Sequence, residues 1–322
     1  MIAICVVEDA GADEQPVSLM AIRFDRPVSS AARFSRLLGA FSLVLALAVM
    51  IAHRFGGLAT PYLVLLLIAA AGCALLAAML AALGLRSLWM TGAEGGLAAL
   101  AALIYAAFPL GLGAYATEHY LTLPDIYDVS TDPVSAPDWL SPPKSDQIWL
   151  KRNVQVTPED REKQMAAYPE LTGRRYEGAL DRVLEAVRKV AKQSGITITK
   201  SSGDTEPGRD PEDKPAKSPQ PGDDAVADAP DIIPVPTPRP YDDDVAKLIR
   251  GANGVTLQGT TRTLILGLRF DILIRLREEA ETTFVDIRVA SRYGQHDLGF
   301  SAEIADDYLK ALDAELLGIA GG

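Results

Sequence analysis

Cysteine and histidine are scarce in this sequence, which holds two cysteines and three histidines among 322 residues. Cys5 lies near the N-terminus and Cys73 lies inside a long apolar run, so the polar C-terminal half has no disulfide framework. His53 and His119 flank apolar segments, and only His296 lies in the C-terminal half, which argues against a His-rich or Cys/His metal site. We therefore expect no metal ion to be bound.

The common signatures of catalysis and cofactor binding are missing as well. The sequence contains no P-loop, no GxGxxG after a strand and no GxSxG nucleophile elbow. We therefore assign no catalytic residue and no cofactor. Basic residues are outnumbered, 31 against 42 acidic ones, and the net charge of −11 argues against a nucleic-acid partner.

A long apolar block dominates the N-terminal third of the chain. Between residues 37 and 117 the only charged residues are Arg54, Arg86 and Glu94. A bilayer crossing needs about 20 apolar residues in a helix. Within a transmembrane block at 34–117, the sequence predicts spans over about 37–52, 62–83 and 95–117. The first partner of this protein is therefore the membrane bilayer.

The distribution of basic residues predicts the orientation of the spans. Four arginines precede the first span (Arg23, Arg26, Arg33 and Arg36), whereas no Lys or Arg follows the third span until Lys144. The positive-inside rule then puts the tail at 1–33, which we expect to be disordered, in the cytoplasm. Three spans in a multi-pass inner-membrane protein leave the C-terminal domain in the periplasm, whereas two spans would reverse this. An alternative start at Met20 would shorten the tail.

The rest of the chain predicts a two-layer α+β domain. Residues 118–175 are Pro-punctuated and are expected to form an extended linker. The domain at 176–319 then begins with an amphipathic helix over 176–193 and a strand over 196–200. A Pro-, Asp- and Ser-rich insertion at 201–250 is expected to be disordered. Three alternating segments and one final helix follow, at 255–262, 269–277, 282–292 and 302–317.

This order gives an antiparallel four-stranded sheet with two helices on its apolar face. Charged residues alternate to the opposite face of the last two strands: Asp271, Arg275, Asp286, Arg288 and Arg292. Two readings are open, namely a solvated face and a cross-strand ladder of paired charges. The solvated face is the favoured one.

Short motifs connect distant parts of the chain. The run from Ser291 to Gly299 reads SRYGQHDLG and has the pattern SRxGxxDxG, while DVSTDP occupies 128–133. Tyr168-Pro169 and Thr260-Thr261-Arg262 are two further short matches. Together these motifs resemble the family called domain of unknown function 1499. The resemblance implies the fold and a membrane setting, and it implies no activity. The chain departs from the family in its insertion and in Phe300-Ser301, where members often have Asn.

The candidate binding residues come from two of these motifs: Asp128, Thr131, Asp132, Ser291, Arg292, Gly294, Asp297 and Gly299. We interpret the 291–299 loop as structural, with glycines that permit a tight turn and Asp297 capping or bracing it. We also expect Arg292 and Asp297 to pair with each other or with Asp128 or Asp132.

Three functions are compatible with these features, and we favour the first over the two alternatives. The first is a non-enzymatic module, tethered to the membrane, that binds an unidentified protein or envelope component. The second is an envelope hydrolase using the 291–297 loop, where Ser291, His296 and Asp297 would have to converge. The third is a domain that holds a lipid or another apolar ligand, which would require an apolar pocket lined by helices.

Overall fold

The computed structural model describes residues 30–91, 95–143, 146–203 and 254–318. The expected disorder of the N-terminal tail and of the insertion falls almost wholly outside these residues. At its two edges the structure differs from the expectation. Ser30 already begins the first helix, and residues 201 and 202 end a strand.

Three apolar helices form the N-terminal part, and each is long and apolar enough to cross a membrane. They are α1 (Ser30–Phe55), α2 (Thr60–Thr91) and α3 (Gly96–Thr122), all longer than the predicted spans. Small side chains line their contacts, including Ala32, Ala81, Ala99 and Ala102, which are fully buried. Small residues let helix backbones approach closely, so the three helices pack into one bundle.

The C-terminal part is built on a six-stranded antiparallel sheet rather than the predicted four-stranded one. Its strands are β1 (Asp128–Ser130), β2 (Arg174–Glu177), β3 (Thr197–Ser202), β4 (Gly254–Arg262), β5 (Arg269–Glu279) and β6 (Thr282–Ser291). The order is β1-β6-β5-β4-β3, and β2 also pairs with β6. Of the two additional strands, β1 lies within residues 118–175, in place of the expected extended linker, and β2 crosses the predicted boundary between that linker and the domain. With three and four residues, they are too short to show an alternating pattern.

Three further helices accompany the sheet in the described part of the chain. They are α4 (Pro158–Ala167), α5 (Leu180–Gln193) and α6 (Phe300–Leu316). A capping box between Thr157 and Asp160, with Pro158 in the first turn, explains why a helix forms in this Pro-containing stretch. The predicted helix over 176–193 begins later than expected, because Tyr176 belongs to β2 and pairs with Thr283 of β6.

The apolar face of the sheet is covered by α5 and α6, as predicted. Their buried stripes meet β4, β5 and β6 in one core. Tyr308 of α6 is the largest fully buried side chain in it, and its hydroxyl donates a 3.1 Å hydrogen bond to Val187 O of α5. The bond satisfies the polar end of a side chain that is otherwise packed among apolar groups.

The opposite face of the sheet is buried too, so the favoured reading of a solvated face is wrong. Residues 131–143 lie across it. Gln258 of β4 exchanges hydrogen bonds with the backbone of Ser141 at 2.8 and 3.0 Å, and Arg288 of β6 donates to Pro137 O at 2.6 Å. The Arg288 guanidinium also lies 5.0 Å from the centre of the Trp139 ring. Arg275 contacts the same segment at Asp132 and Ser135, so Arg275, Asp286 and Arg288 are enclosed between the sheet and this covering segment.

The bundle and the sheet domain touch at one end of the bundle. Only residues 123–127 connect α3 to β1. The α1–α2 turn reaches the β4–β5 loop, where His53 Nδ1 lies 2.6 Å from Leu266 O. Near the end of α3, His119 Nδ1 lies 3.1 Å from Leu298 O. The domain thus lies at the end that carries the α1–α2 turn, and the α2–α3 connection lies at the other end.

Replacing residues 204–253 by a short Asn-Gly turn is expected to preserve the fold. Strands β3 and β4 pair directly, and a Cβ on Gly203 would lie 2.2 Å from Gly254 O, so the two ends of the replaced stretch already meet. Shortening a connection of 50 residues to two should raise the free energy of unfolding by about 3 kcal/mol, since loop-closure entropy grows with the logarithm of length. Thermal unfolding of the full chain and of the shortened chain checks this. A lower melting temperature would show that the replaced residues pack on the domain.

Candidate functional site

Asp128 is the centre of a buried ion cluster. Its carboxylate receives a bidentate contact from Arg288, with Nε and Nη2 at 2.9 to 3.1 Å, and a third contact from Arg161 Nη2 at 2.8 Å. The Asp128 side chain is only 3 % exposed. Paired guanidinium and carboxylate groups of this geometry are among the stronger polar contacts in proteins. The cluster fastens β1 to β6 and α4 to both.

The rest of the DVSTDP motif continues the same attachment. The Thr131 hydroxyl accepts from Ile287 N at 2.9 Å and so extends the β-ladder through a side chain. Arg275 Nη2 donates a 3.0 Å hydrogen bond to Asp132 Oδ2 and a 2.6 Å hydrogen bond to Asp286 Oδ2. Burial raises the pKa of Asp286, and its second oxygen, Oδ1, has no hydrogen-bond partner among the described residues. Asp286 is therefore tied to the fold through one oxygen.

Arg292 has a different partner from those we expected. Its Nε and Nη2 form a bidentate pair with Asp271 of β5, at 2.6 to 3.2 Å, and not with Asp297, Asp128 or Asp132. Asp271 is opposite Ala290 in the register of β5 and β6, so Arg292 reaches it diagonally. The neighbouring Ser291 accepts a bond from Arg152 at its carbonyl, and its hydroxyl donates to Tyr293 O at 3.0 Å. Both residues thus hold strand ends and loops together.

Asp297 caps the start of α6, which agrees with its predicted role as a cap. Its Oδ1 accepts from Gly299 N and its Oδ2 accepts from Ser301 N, both at 2.9 Å. Burial raises the pKa of this carboxyl group. Gly299 has φ +82°, and a Cβ there would lie 2.6 Å from Leu123 Cδ1, so glycine is required on both counts. Gly294, with φ +78°, provides the turn that precedes this cap.

The three residues of the hydrolase hypothesis do not form a relay. The Ser291 hydroxyl is directed to Tyr293 O. His296 Nε2 lies 3.2 Å from Leu123 O, and His296 Nδ1 accepts a 2.9 Å hydrogen bond from Leu298 N. The Asp297 carboxylate accepts from two backbone N–H groups, those of Gly299 just before α6 and Ser301 in its first turn. A nucleophile, a base and an orienting acid must bond to one another in sequence, and here each bonds to the backbone instead.

Removing the Asp297 carboxylate is expected to destabilise the domain. Asp297→Ala leaves two N–H groups at the start of α6 without an acceptor, which should cost about 1–3 kcal/mol. Chemical denaturation of the purified protein measures the loss. Asp307→Ala, at an exposed position about two turns along α6, is the control and should change stability by less than about 0.5 kcal/mol. Equal effects of the two variants would contradict the capping role.

The pH dependence of Asp297 has a defined sign. Because its folded-state pKa is raised above the ordinary value of 3.8, its contribution to stability is present below that value and is lost as the pH rises through the folded-state pKa. The stability difference between the wild type and Asp297→Asn should therefore fall as the pH increases through this window. A difference that grows over the same window would mean that the pKa is lowered.

A cavity of about 640 Å³ lies where three distant segments meet. The end of α3 contributes His119 and Leu123, the end of α4 and the following turn contribute 167–171, and the start of α6 contributes 298–303 and Asp306. Most of the side chains that line the cavity are apolar, and its acidic lining residues are Glu170, Glu303 and Asp306. Its volume lies in the ordinary range for small-molecule sites.

Only one of the predicted binding residues, Gly299, lines this cavity. The other seven hold the fold, in the contacts with the covering segment and the cap described above. Sequence reasoning missed the cavity because no single segment builds it. The sequence did contain one indication of the cavity, because two of its short motifs, Tyr168-Pro169 and the one that ends at Gly299, both line it. Burial, together with the Asp297 charge, raises the pKa of Tyr168, so its hydroxyl is a neutral group beside the cavity.

Comparisons with known proteins point to one family. No curated protein and no solved structure matches the chain. The family described as "Protein of unknown function (DUF1499)" matches residues 128–312, which begins at β1 and ends within α6. This match covers more than half of the chain and includes both motifs that carry the candidate residues. The chain belongs to the DUF1499 family.

Proposed function

We propose that this protein is a non-enzymatic binding module, tethered to the inner membrane of a bacterium by three spans, with its sheet domain in the periplasm. Its ligand is an envelope component with an apolar portion, such as a lipid chain, which enters the cavity beside the end of α3. The proposal joins two of the functions considered from sequence, a module that binds an envelope component and a domain that holds an apolar ligand.

The observation that carries the proposal is the position of the cavity. Leu123 continues directly from the third apolar helix, and it faces Leu298 and Ala302 at the start of α6. A ligand that leaves the bilayer along α3 would meet this opening first. Apolar walls with a few polar groups are typical of sites that bind a mostly apolar molecule in a fixed orientation.

The orientation of the spans supports the periplasmic assignment. Arg33 and Arg36 lie at the start of α1, and Arg86 lies near the end of α2, so these three residues are at the bundle end away from the domain. Arg54 is at the domain end. The positive-inside rule favours the cytoplasm for the end with more basic residues.

A photoreactive phospholipid tests the binding proposal. The full chain is reconstituted in nanodiscs with a phospholipid that carries a diazirine near the end of one acyl chain. After irradiation, labelled peptides are mapped by mass spectrometry. Labels are expected on the cavity segments 167–171 and 298–306, in addition to the apolar helices that contact lipid in any case.

Two neighbouring residues of α4 provide a matched pair of variants. Ala167 lines the cavity and Ala166 does not, and both are exposed. Ala167→Trp should fill the opening and abolish labelling of 298–306, whereas Ala166→Trp should leave it unchanged. Labelling confined to α1–α3 in the wild type, or equal labelling of 298–306 in both variants, would refute the cavity as the binding site.

A further inference from the structure

The loop between β4 and β5 exposes apolar side chains at the end of the domain that faces the bundle. It reads TLILGL from Thr263 to Leu268. Leu264 is 88 % exposed and Ile265 is 75 % exposed, and they are adjacent in the chain. A single exposed leucine is ordinary, but two neighbouring apolar side chains presented by a tight loop need a covering environment.

The loop has a fixed shape. Thr263 N donates to Leu268 O and Leu268 N donates to the Thr263 hydroxyl, both at 2.9 Å, and Gly267 N donates to Thr263 O at 3.1 Å. These bonds close the loop at its base and leave Leu264 and Ile265 at its tip. Their exposure is therefore a property of an internally bonded turn.

The loop is also bonded to the end of α1. His53 Nδ1 lies 2.6 Å from Leu266 O, and His53 Nε2 lies 3.1 Å from the Thr60 hydroxyl, so His53 bridges the loop and the start of α2. Arg54 Nη1 donates to Thr263 O at 3.5 Å. The tip of the loop is thereby held at the level of the α1–α2 turn.

The flanking arginines of α1 fix that level relative to a bilayer. Arg36 and Arg54 lie about 27 Å apart along the helix axis at a rise of about 1.5 Å per residue. A bilayer hydrocarbon core is about 30 Å thick, so a helix that crosses it puts both guanidinium groups at the headgroups. Phe55, 82 % exposed, is next to Arg54 on this boundary. The loop that Arg54 contacts is at the same depth.

We propose that the β4–β5 loop inserts Leu264 and Ile265 into the interfacial region of the bilayer and so forms a second membrane contact of the sheet domain. The occupant of this apolar tip is lipid, because the loop is bonded to His53 and Arg54 at the end of α1, beside the exposed Phe55. Apolar side chains are favoured at this depth when their backbone bonds are satisfied within the protein. The inference rests on the membrane anchoring in the proposed function, and it does not depend on the cavity.

Site-directed spin labelling of the full chain in nanodiscs tests the insertion. The background is Cys5→Ser with Cys73→Ala, which removes both native cysteines. A nitroxide is attached at Leu264→Cys, and its collisions with oxygen, which concentrates in the bilayer, are compared with its collisions with a water-soluble nickel chelate. The label at the loop is expected to collide more with oxygen than with nickel.

Two further positions calibrate the result. Leu76→Cys, at a 56 % exposed site in the middle of α2, reports the bilayer, and Val134→Cys, at a 90 % exposed site, reports water. Val134 adjoins Ser135, whose carbonyl bonds Arg275, about 20 Å along β5 from Arg269 and the loop. A water-like signal at Leu264→Cys with a bilayer signal at Leu76→Cys would overturn the loop insertion alone. A water-like signal at both would overturn the membrane anchoring itself.

Discussion

Asp128→Ala is expected to lower the free energy of unfolding of the domain by about 3–5 kcal/mol, because it leaves two buried guanidinium groups without their carboxylate. Arg288 and Arg161 are each only 12 % exposed, so water cannot replace the lost partner. Replacing a whole buried ion pair by apolar groups is often neutral, but removing one member is not. A domain of this size should then melt about 10 °C or more below the wild type.

The control for Asp128→Ala comes from the covering segment that follows β1. Asp138→Ala removes an exposed carboxylate in this segment. We expect the free energy of unfolding to change by no more than about 0.5 kcal/mol. Guanidinium denaturation of the full chain, followed by tryptophan fluorescence, measures both variants. Trp139 is a suitable reporter because its ring lies against Arg288. A loss below about 1 kcal/mol for Asp128→Ala would show that the cluster does not hold β1 to the sheet.

An alkaline phosphatase fused after Gly322 is expected to be active, and one fused after Arg86 is expected to be inactive. The enzyme needs disulfides that form only outside the cytoplasm, so the effect is all or none. A fusion after Gly57, in the α1–α2 turn, should be active as well, because that turn and the domain lie at the same end of the bundle. These results would support three spans with a periplasmic domain.

The opposite pattern of fusion activities would relocate the domain to the cytoplasm and refute the proposed orientation. Protein level must be measured for each fusion, since an unstable fusion would also be inactive. A cytoplasmic reporter fused at the same positions provides the matched control. Its activity should be high after Arg86 and low after Gly57 and Gly322.

Periodicity predicted the parts of the fold that have enough residues to show it. Strands β4, β5 and β6 and helices α5 and α6 lie close to their predicted positions, because each has one buried face of at least three residues. The short strands β1 and β2 could not be found in this way. Their pairing with β6 depends on Asp128 meeting Arg288 and on Tyr176 entering the core, which are contacts across long separations.

The polar face of the sheet was misjudged for a related physical reason. Alternating Asp and Arg residues look the same in sequence whether water or a covering chain lies over them. Asp271 and Asp286 are only 3 % and 0 % exposed, and each pairs with an arginine, Arg292 and Arg275. The capping role of Asp297 was easier to predict, since its partners, Gly299 and Ser301, are two and four residues away in the sequence. A cap can be predicted from neighbouring residues in the sequence, whereas a partner on another strand cannot.

The short connection between α3 and β1 limits what the domain can meet. Residues 123–127 could extend about 17 Å if they were released. They are not released, because Leu123 O contacts His296 and Ile126 O accepts from Asp297 N. A flexible tether would let a domain search a wide volume and capture partners far from its anchor. This one has no such reach. Under the proposed anchoring, a ligand would therefore have to come to the membrane surface, and diffusion in the plane of the bilayer would bring the two together.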